Sequence, residues 1–199
     1  MTQTVLLDLG NVILGVDFRR VFRHWADAAG IAPDRFYERW QMDAHYAAHE
    51  TGDLSFEGYT AHLSQLFEVT LSPEDWERGW NAIWTEPFHD VIALLPALAE
   101  RGPLYGFSNT NNTHTDHWST AHETALAPIQ EIFVSSHIGL RKPNVSAYHY
   151  VCEQMEAKPA DVLFLDDSQE NINGALRAGL DARLVRSEAE VVAQLETLL

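Results

Sequence analysis

The sequence predicts an α/β protein: a parallel sheet with helices on both faces and a separate block of helices inserted after the first strand. Three observations carry this reading. A short apolar run, Val5 to Leu9, leads into Asp8-Leu9-Gly10-Asn11 and reads as a buried strand followed by a turn. Residues from about 18 to 86 carry Trp, His, Arg and Glu at helical spacing, with no strand-like run. From His89 onward, strand-like and helix-like segments alternate, which implies crossover connections and parallel strands.

Each element has its own signal. Phe18, Val21, Phe22 and Trp25 share one helix face by their 3/4 spacing. Pro33-Asp34 suits a second helix start. Ser55 caps a third, with Phe56, Tyr59, Leu63, Leu66 and Phe67 as its apolar stripe. Ser72-Pro73-Glu74-Asp75 opens a fourth, with Ser at the cap and Pro in the first turn. A helix over Val91 to Glu100 stops at Gly102, and Leu104 to Phe107 is a strand leading to Ser108-Asn109-Thr110. After a polar segment come a strand at Ile132 to Ser135, a helix at Ser146 to Met155 and a strand at Val162 to Leu165 that ends in Asp166-Asp167. A further helix ends near Gly179, Ala182 to Val185 is the last strand, and Ser187 to Glu190 is a capping box for the final helix.

Composition narrows the classes. The chain has 199 residues, enough for one full core carrying an inserted subdomain. A formal charge of -16 repels nucleic acid phosphates and anionic membranes, so neither is an expected partner. An anionic ligand would need a locally positive site made by a cation, a Lys or a helix N-terminus. Cys152 is the single cysteine, which excludes an intramolecular disulfide and suits a cytoplasmic location. Met1 to Gly10 lacks a basic n-region, so no signal peptide is expected, and no apolar stretch approaches a membrane span.

Four polar clusters stand just after strands or before helices: Asp8 with Gly10, Ser108 with Asn109, Lys142, and Asp166 with Asp167. Parallel sheets gather such positions at the carboxyl ends of their strands. Singly, each has an ordinary reading as a cap, a turn or a solvated corner. Jointly they supply a carboxylate nucleophile, a cation and paired acids able to hold a hard metal ion.

Val-Leu-Leu-Asp-Leu-Gly-Asn-Val-Ile at 5–13, Phe-Ser-Asn-Thr-Asn at 107–111, Gly-Leu-Arg-Lys-Pro at 139–143 and Phe-Leu-Asp-Asp-Ser-Gln-Glu-Asn-Ile at 164–172 resemble the four motifs of the haloacid dehalogenase-like hydrolase superfamily. The resemblance spans essentially the whole chain. Within the superfamily the sequence is most similar to bacterial sugar-phosphate phosphatases of the glucose-1-phosphate phosphatase type. The shared details are Asp-Leu-Gly-Asn, the Glu-x-Gly-Asp-Leu-Ser element at 50–55, and Ser-Asn-Thr-Asn followed by His114 and Trp118. The resemblance implies a Rossmann-like core (1–15 and 89–199) with an inserted helical cap of the C1 type (16–88). It implies a magnesium-dependent phosphatase acting on a small phosphate ester, a sugar phosphate by preference. Asp8 would be the nucleophile. Asp8, the Gly10 carbonyl and Asp167 would hold Mg2+, with Asp166 behind them. Ser108 and the Asn109 N–H, entering the following helix, would bind phosphate, and Lys142 would balance its charge. Glu50, with Thr51 and Gly52, is the cap stretch expected to face substrate.

One departure matters. Most phosphatases of the superfamily carry a second Asp two residues after the nucleophile, as general acid and base. Here that position is Gly10, so the carbonyl survives and the acid does not. General acid–base help is worth ~10²–10⁴-fold. Asp17, His45, His49 or a metal-bound water are candidate substitutes, and an anomeric phosphate would need less help. Tyr46 and His114 are weaker substrate candidates, and no third ligand joins His45 and His49 as a zinc site. Two other functions compete. A haloacid dehalogenase needs no acid at position 10, but leaves the Asp166-Asp167 pair unexplained. A phosphometabolite-binding protein could have lost turnover with its acid.

Overall fold

The computed structural model describes residues 3–199. Strand β1 (Thr4–Leu7) is buried along its whole length. It is followed by β2 (Leu14–Val16) and five helices: α1 (Phe18–Ala29), α2 (Asp34–Arg39), α3 (Ala44–Glu50), α4 (Phe56–Phe67) and α5 (Pro73–Asn81). β3 (Trp84–Pro87) then returns antiparallel to β2. Next come α6 (His89–Arg101), β4 (Leu104–Ser108), α7 (Asn112–Ala121), α8 (Glu123–Leu126), β5 (Glu131–Val134) and α9 (Ser135–Ile138). The chain ends with α10 (Val145–Gln154), β6 (Val162–Asp166), α11 (Gln169–Arg177), β7 (Asp181–Leu184) and α12 (Glu188–Glu196).

The main sheet has the order β5-β4-β1-β6-β7, and every pairing in it is parallel. Side chains alternate across it. Val5, Leu7, Leu163 and Leu165 point to a face covered by Val91, Leu95 and Leu98 of α6 and Val191 and Leu195 of α12. Leu6, Phe107 and Phe164 point to the other, covered by α10 and α11 through Tyr148, Val151, Ile172 and Ala175. Burial on both faces explains the unbroken apolar runs of the central strands. The fold class is therefore the expected α/β, and the strand order reverses at β1, where parallel sheets open a crevice for ligands.

The inserted helices have a core of their own. Trp25 stacks parallel to Trp80 at 5.8 Å and donates its Nε1–H to the Trp76 carbonyl (3.1 Å). Phe22, Phe36, Tyr59, Leu63 and Phe67 close around them. The caps at Ser55 and Ser72 form as the sequence indicates, accepting from the Gly58 and Asp75 amides.

Several local expectations are corrected. The 18–86 block is not free of strands, because β3 pairs with β2 to make a ribbon at the stem of the insert. Two strands this short carry too few side chains for a visible alternation. The polar segment Asn112–Ala121 forms helix α7, capped by the Asn111 side chain accepting from the His114 amide. Glu50 is the last residue of α3, and Ser135 opens α9 rather than ending a strand. At α12 the Glu190 carboxylate reaches the Arg186 amide (2.9 Å), one residue earlier than in a standard capping box.

Candidate functional site

The sheet delivers the candidate groups to one end. Asp8 follows β1, Ser108 ends β4 and Asp166 ends β6. Together with Gly10, Asn109, Lys142, Asp167 and Glu50, Asp8 and Ser108 line a cavity of about 490 Å³. Asp166 sits behind that wall with no exposed surface.

Lys142 is the centre of the arrangement, only 1% exposed. Its ammonium donates to Asp8 Oδ1 (2.8 Å), Asp166 Oδ2 (2.7 Å) and the Phe107 carbonyl (2.8 Å). All three N–H bonds are thus directed, and the Phe107 and Phe164 rings lie 5.2 and 5.4 Å from the nitrogen. Burial pulls the ammonium toward neutrality, but Asp166 and Asp8 outweigh it and hold its pKa above the usual lysine value. The loop carrying Lys142 is fixed twice. Asn109 exchanges hydrogen bonds with the Lys142 main chain, Oδ1 accepting from its amide and Nδ2 donating to its carbonyl (both 2.9 Å). On the other side Gly174 of α11 packs on Pro143, where a Cβ would fall 2.3 Å from the Pro143 carbonyl oxygen.

Asp166 is a holder rather than a wall of the cavity. Its oxygens accept from Lys142, from the Ser168 amide (2.8 Å) and from Asn171 Nδ2 (3.0 Å to each). Asp8 and Asp167 face the open space instead. Burial pushes the Asp8 carboxyl up to about 7; Lys142 pulls it down, while Asp166 and Asp167 raise it further. Burial also raises Asp167, against the Asn11 side chain, which donates to Asp167 Oδ2 (3.1 Å).

Ligand atoms of Asp8, Asp166 and Asp167 lie within 4.8 Å of one another. Three carboxylates stand against one ammonium, a negative excess that a hard cation would relieve. The donor set fits magnesium: carboxylate oxygens of Asp8 and Asp167 and a carbonyl at Gly10, with Asp166 already saturated by its neighbours.

The insert closes the cavity from the other side through Phe18, Met42, Tyr46 and Glu50. Glu50 is 4% exposed, and Arg141 Nη2 lies 2.7 Å from its Oε2. That approach makes a buried ion pair, and burial leaves Oε2 out of reach of bulk solvent. The Ser135 hydroxyl ties the Glu50 carbonyl (2.6 Å) to the core.

Other sequence candidates fall elsewhere. Asp17 caps α1 and pairs with Arg19 at 2.9 Å. His45 stacks on His62 at 3.8 Å beside Asp43, and His49 is buried with Nδ1 on the Leu54 carbonyl (3.0 Å). None of the three lines the cavity. His49 is thus no partner of His45; the other two members of that cluster are His62 and Asp43. His114 does line the cavity but serves the seam between insert and core. It stacks on Trp80 at 4.6 Å, engages Asn111 Nδ2 through Nδ1 and the Trp80 carbonyl through Nε2, and burial drives its pKa down to about 3. Asn109 lies three residues before α7 begins, so its amide is not a helix N-terminus. Arg141, Asn11 and Asn171 are contributors that the sequence reading passed over. All three stand inside motif segments, but only the fold shows which way they face.

Comparison with known proteins gives a family and a fold. Residues 2–179 match the family described as haloacid dehalogenase-like hydrolase. A GMP/IMP nucleotidase of Escherichia coli is 24% identical over 185 residues, covering 89% of this chain and 80% of that protein. Drimenol cyclase of Aspergillus calidoustus is 28% identical over 102 residues, but this chain spans only 18% of its length. A HAD-family enzyme of Bacteroides thetaiotaomicron, solved with magnesium and inorganic phosphate, superposes with a TM-score of 0.80 at 20% identity, covering 92% of this chain and 94% of that one.

Proposed function

The chain belongs to the haloacid dehalogenase-like hydrolase family, and from that premise we propose that it is a magnesium-dependent phosphatase of small phosphorylated metabolites, with a sugar phosphate favoured. Residues 16–88 act as a cap over a catalytic core formed by 1–15 and 89–199. The observation that carries the reading is the Asp8–Lys142–Asp166 bridge with Asp167 beside it, at one wall of a cavity of small-metabolite size.

Asp8 is the nucleophile. Lys142 holds one of its oxygens and leaves the other to approach phosphorus in line. The aspartyl-phosphate that forms is then hydrolysed, so that one difficult displacement becomes two easier ones. Asp8, Asp167 and the Gly10 carbonyl would hold magnesium, which supplies the positive charge that lets a phosphate dianion approach a carboxylate. Ser108 donates to a phosphate oxygen, and Lys142 counters the charge of the transferring group. Asn109 serves mainly by fixing the Lys142 loop.

Two external likenesses support the substrate class. The E. coli relative is a nucleotidase, and the Bacteroides enzyme was solved with magnesium and inorganic phosphate. Glu50 and Arg141 on the cavity wall supply polar groups suited to a hydroxylated leaving group such as a sugar. A halide-releasing reaction would leave Asp167 without a task. The test is phosphate release from a panel of sugar phosphates, nucleotides and small phospho-acids. Release that requires magnesium and disappears with chelator and with Asp8→Asn supports the reading. Metal-independent halide release, or tight binding without turnover of any ester, overturns it.

A further inference from the structure

Departure of an ordinary alcohol from phosphorus requires a proton, and Gly10, two residues beyond the nucleophile, has no side chain to give one. Besides Asp8 itself, the ionisable groups on the cavity wall are Tyr46, Glu50, His114, Arg141, Lys142, Asp167 and Glu170. Lys142 has every N–H committed to Asp8, Asp166 and Phe107. Arg141 does not deprotonate in a protein. Both ring nitrogens of His114 are engaged, and it is held neutral at the seam. Asp167 belongs to the carboxylate cluster beside Asp8, and Glu170 is an exposed residue of the first turn of α11. The Tyr46 hydroxyl is held well above its usual pKa, first by burial and then by Glu50, so it is a poor base for the second half of a cycle.

Glu50 is left. It reaches the cavity from the cap, opposite the sheet edge that presents Asp8, and its backbone is anchored to the core by Ser135. Its Oε2 is buried and faces the Arg141 guanidinium at 2.7 Å. We propose that Glu50 is the general acid and base of this site, a carboxyl delivered by the cap in place of one beside the nucleophile. The proposal rests on the phosphatase reading above. In the first step the bond from Asp8 to phosphorus forms and the bond from phosphorus to the leaving oxygen breaks. The leaving oxygen takes the Glu50 proton. In the second, a water attacks the aspartyl-phosphate and gives its proton to the Glu50 carboxylate, and the bond from phosphorus to Asp8 breaks. The carboxyl ends as it began.

The surroundings suit both protonation states. Burial raises the Glu50 pKa, while Arg141, the Tyr46 hydroxyl and Lys142 pull it back; Tyr59 of α4 also faces it. A second consequence is that acid catalysis depends on the cap being closed. Hydrolysis and closure are then linked through one residue, which keeps an open site from wasting phosphoryl intermediates.

The test is the dependence of rate on the leaving group. Single-turnover alcohol release is measured for wild type and Glu50→Gln with magnesium, using glycerol phosphate, other alkyl phosphates and para-nitrophenyl phosphate. Gln keeps the size of the side chain and its place beside Arg141 and Tyr46 but carries no acidic proton. The expected result is a loss of ~10²–10³-fold on alkyl phosphates and a much smaller loss on the aryl ester, whose leaving group needs little protonation. The alkaline limb of the wild-type pH profile should also disappear. Equal losses on both ester types would overturn the proposal and leave Glu50 as a structural or binding group. Should Glu50→Gln not fold, wild type alone decides: a shallow dependence on leaving-group basicity with a solvent isotope effect supports a proton in flight, and a steep dependence without one overturns it. Failure of the phosphatase reading looks different, since wild type would then show no Asp8-dependent phosphate release from any ester.

Discussion

Replacing Lys142 with Met tests the electrostatic core of the site. Met has a similar length and keeps contact with the Phe107 and Phe164 rings, but it removes the ammonium that donates to Asp8, Asp166 and the Phe107 carbonyl. Asp166 has no exposed surface and Asp8 only 8%, so neither carboxylate can turn to water for compensation. Breaking a buried pair from one side costs about 3–5 kcal/mol, because the remaining charge is stranded. The wild-type lysine is held above its usual pKa, so its stabilisation is fully present below about 10 and is lost only as pH rises beyond that. Across neutral pH it is therefore constant. In the variant the stranded acids are pushed up instead, so the penalty grows as pH rises and shrinks where they can take protons. Urea unfolding in chelator at pH 8 and pH 5 measures this directly. The expected loss is about 3–5 kcal/mol at the higher pH and clearly less at the lower. Turnover with magnesium should fall about 10²–10³-fold, the range seen on removing one preorganised donor. A loss below about 1 kcal/mol, or one equal at both pH values, would refute the claim that Lys142 is held as a buried counter-charge.

The remaining expectations concern the same loops. Asp8 has its carboxyl raised to about 7 by burial, so its contribution to the stability of metal-free protein should be greatest below its unfolded value near 4 and be lost as pH rises through about 7. Thermal melts in chelator should show wild type losing stability relative to Asp8→Asn over this window; a difference that does not change with pH would contradict the assignment. Gly174→Ala should lower stability by about 1–3 kcal/mol and reduce kcat, since its Cβ would sit 2.3 Å from the Pro143 carbonyl oxygen and displace the Lys142 loop. Calorimetry and steady-state kinetics check it, and wild-type values in both would show that the loop yields freely. Gly10→Asp should fold, because a Cβ there meets only Val16 Cγ2 at 3.4 Å, and should speed alkyl phosphate hydrolysis by restoring an acid beside Asp8. A folded, metal-competent variant with unchanged rates would mean that proton transfer does not limit turnover.

The parts of the site that the sequence made legible are those that sit at strand ends. Asp8, Ser108 and Asp166 each follow an apolar run buried on both faces, and a parallel sheet must bring such ends to one edge. What stayed hidden depends on distance in sequence rather than on local pattern. Asp166 and Asp167 are adjacent and identical, yet one is locked behind Lys142 and Asn171 while the other faces the cavity. Strand alternation separates them, but only the position of the Lys142 loop decides which is which. The β2–β3 stem was illegible because its pairing joins residues about seventy positions apart through strands of three and four residues. His114 looked like a substrate candidate because its true partner, Trp80, lies in another element, and stacking leaves no periodic trace. Arg141 was hidden by its neighbour, since nothing in a loop sequence tells that its side chain turns to Glu50 while Lys142 turns inward.

The charge of the whole chain sharpens what the site must do. At -16 the protein repels the phosphate ester it is proposed to bind. The cavity wall does not reverse this alone, because Asp8, Glu50, Asp167 and Glu170 outnumber Arg141 and Lys142. Arg141 is spent on Glu50, and Lys142 is shared between Asp8 and Asp166. Both cations on the wall already face carboxylates, while Asp8 and Asp167 retain charge for a metal. A divalent cation and a phosphate ester therefore each improve the other's binding, and by linkage the improvement is equal in both directions. Protonation of Glu50 works in the same sense: it frees Arg141 from its counter-charge as the leaving group arrives. On the proposed mechanism the carboxyl that donates the proton also sets whether the insert presents a cation or an ion pair to the substrate, so Glu50 and Arg141 would act on the leaving group together.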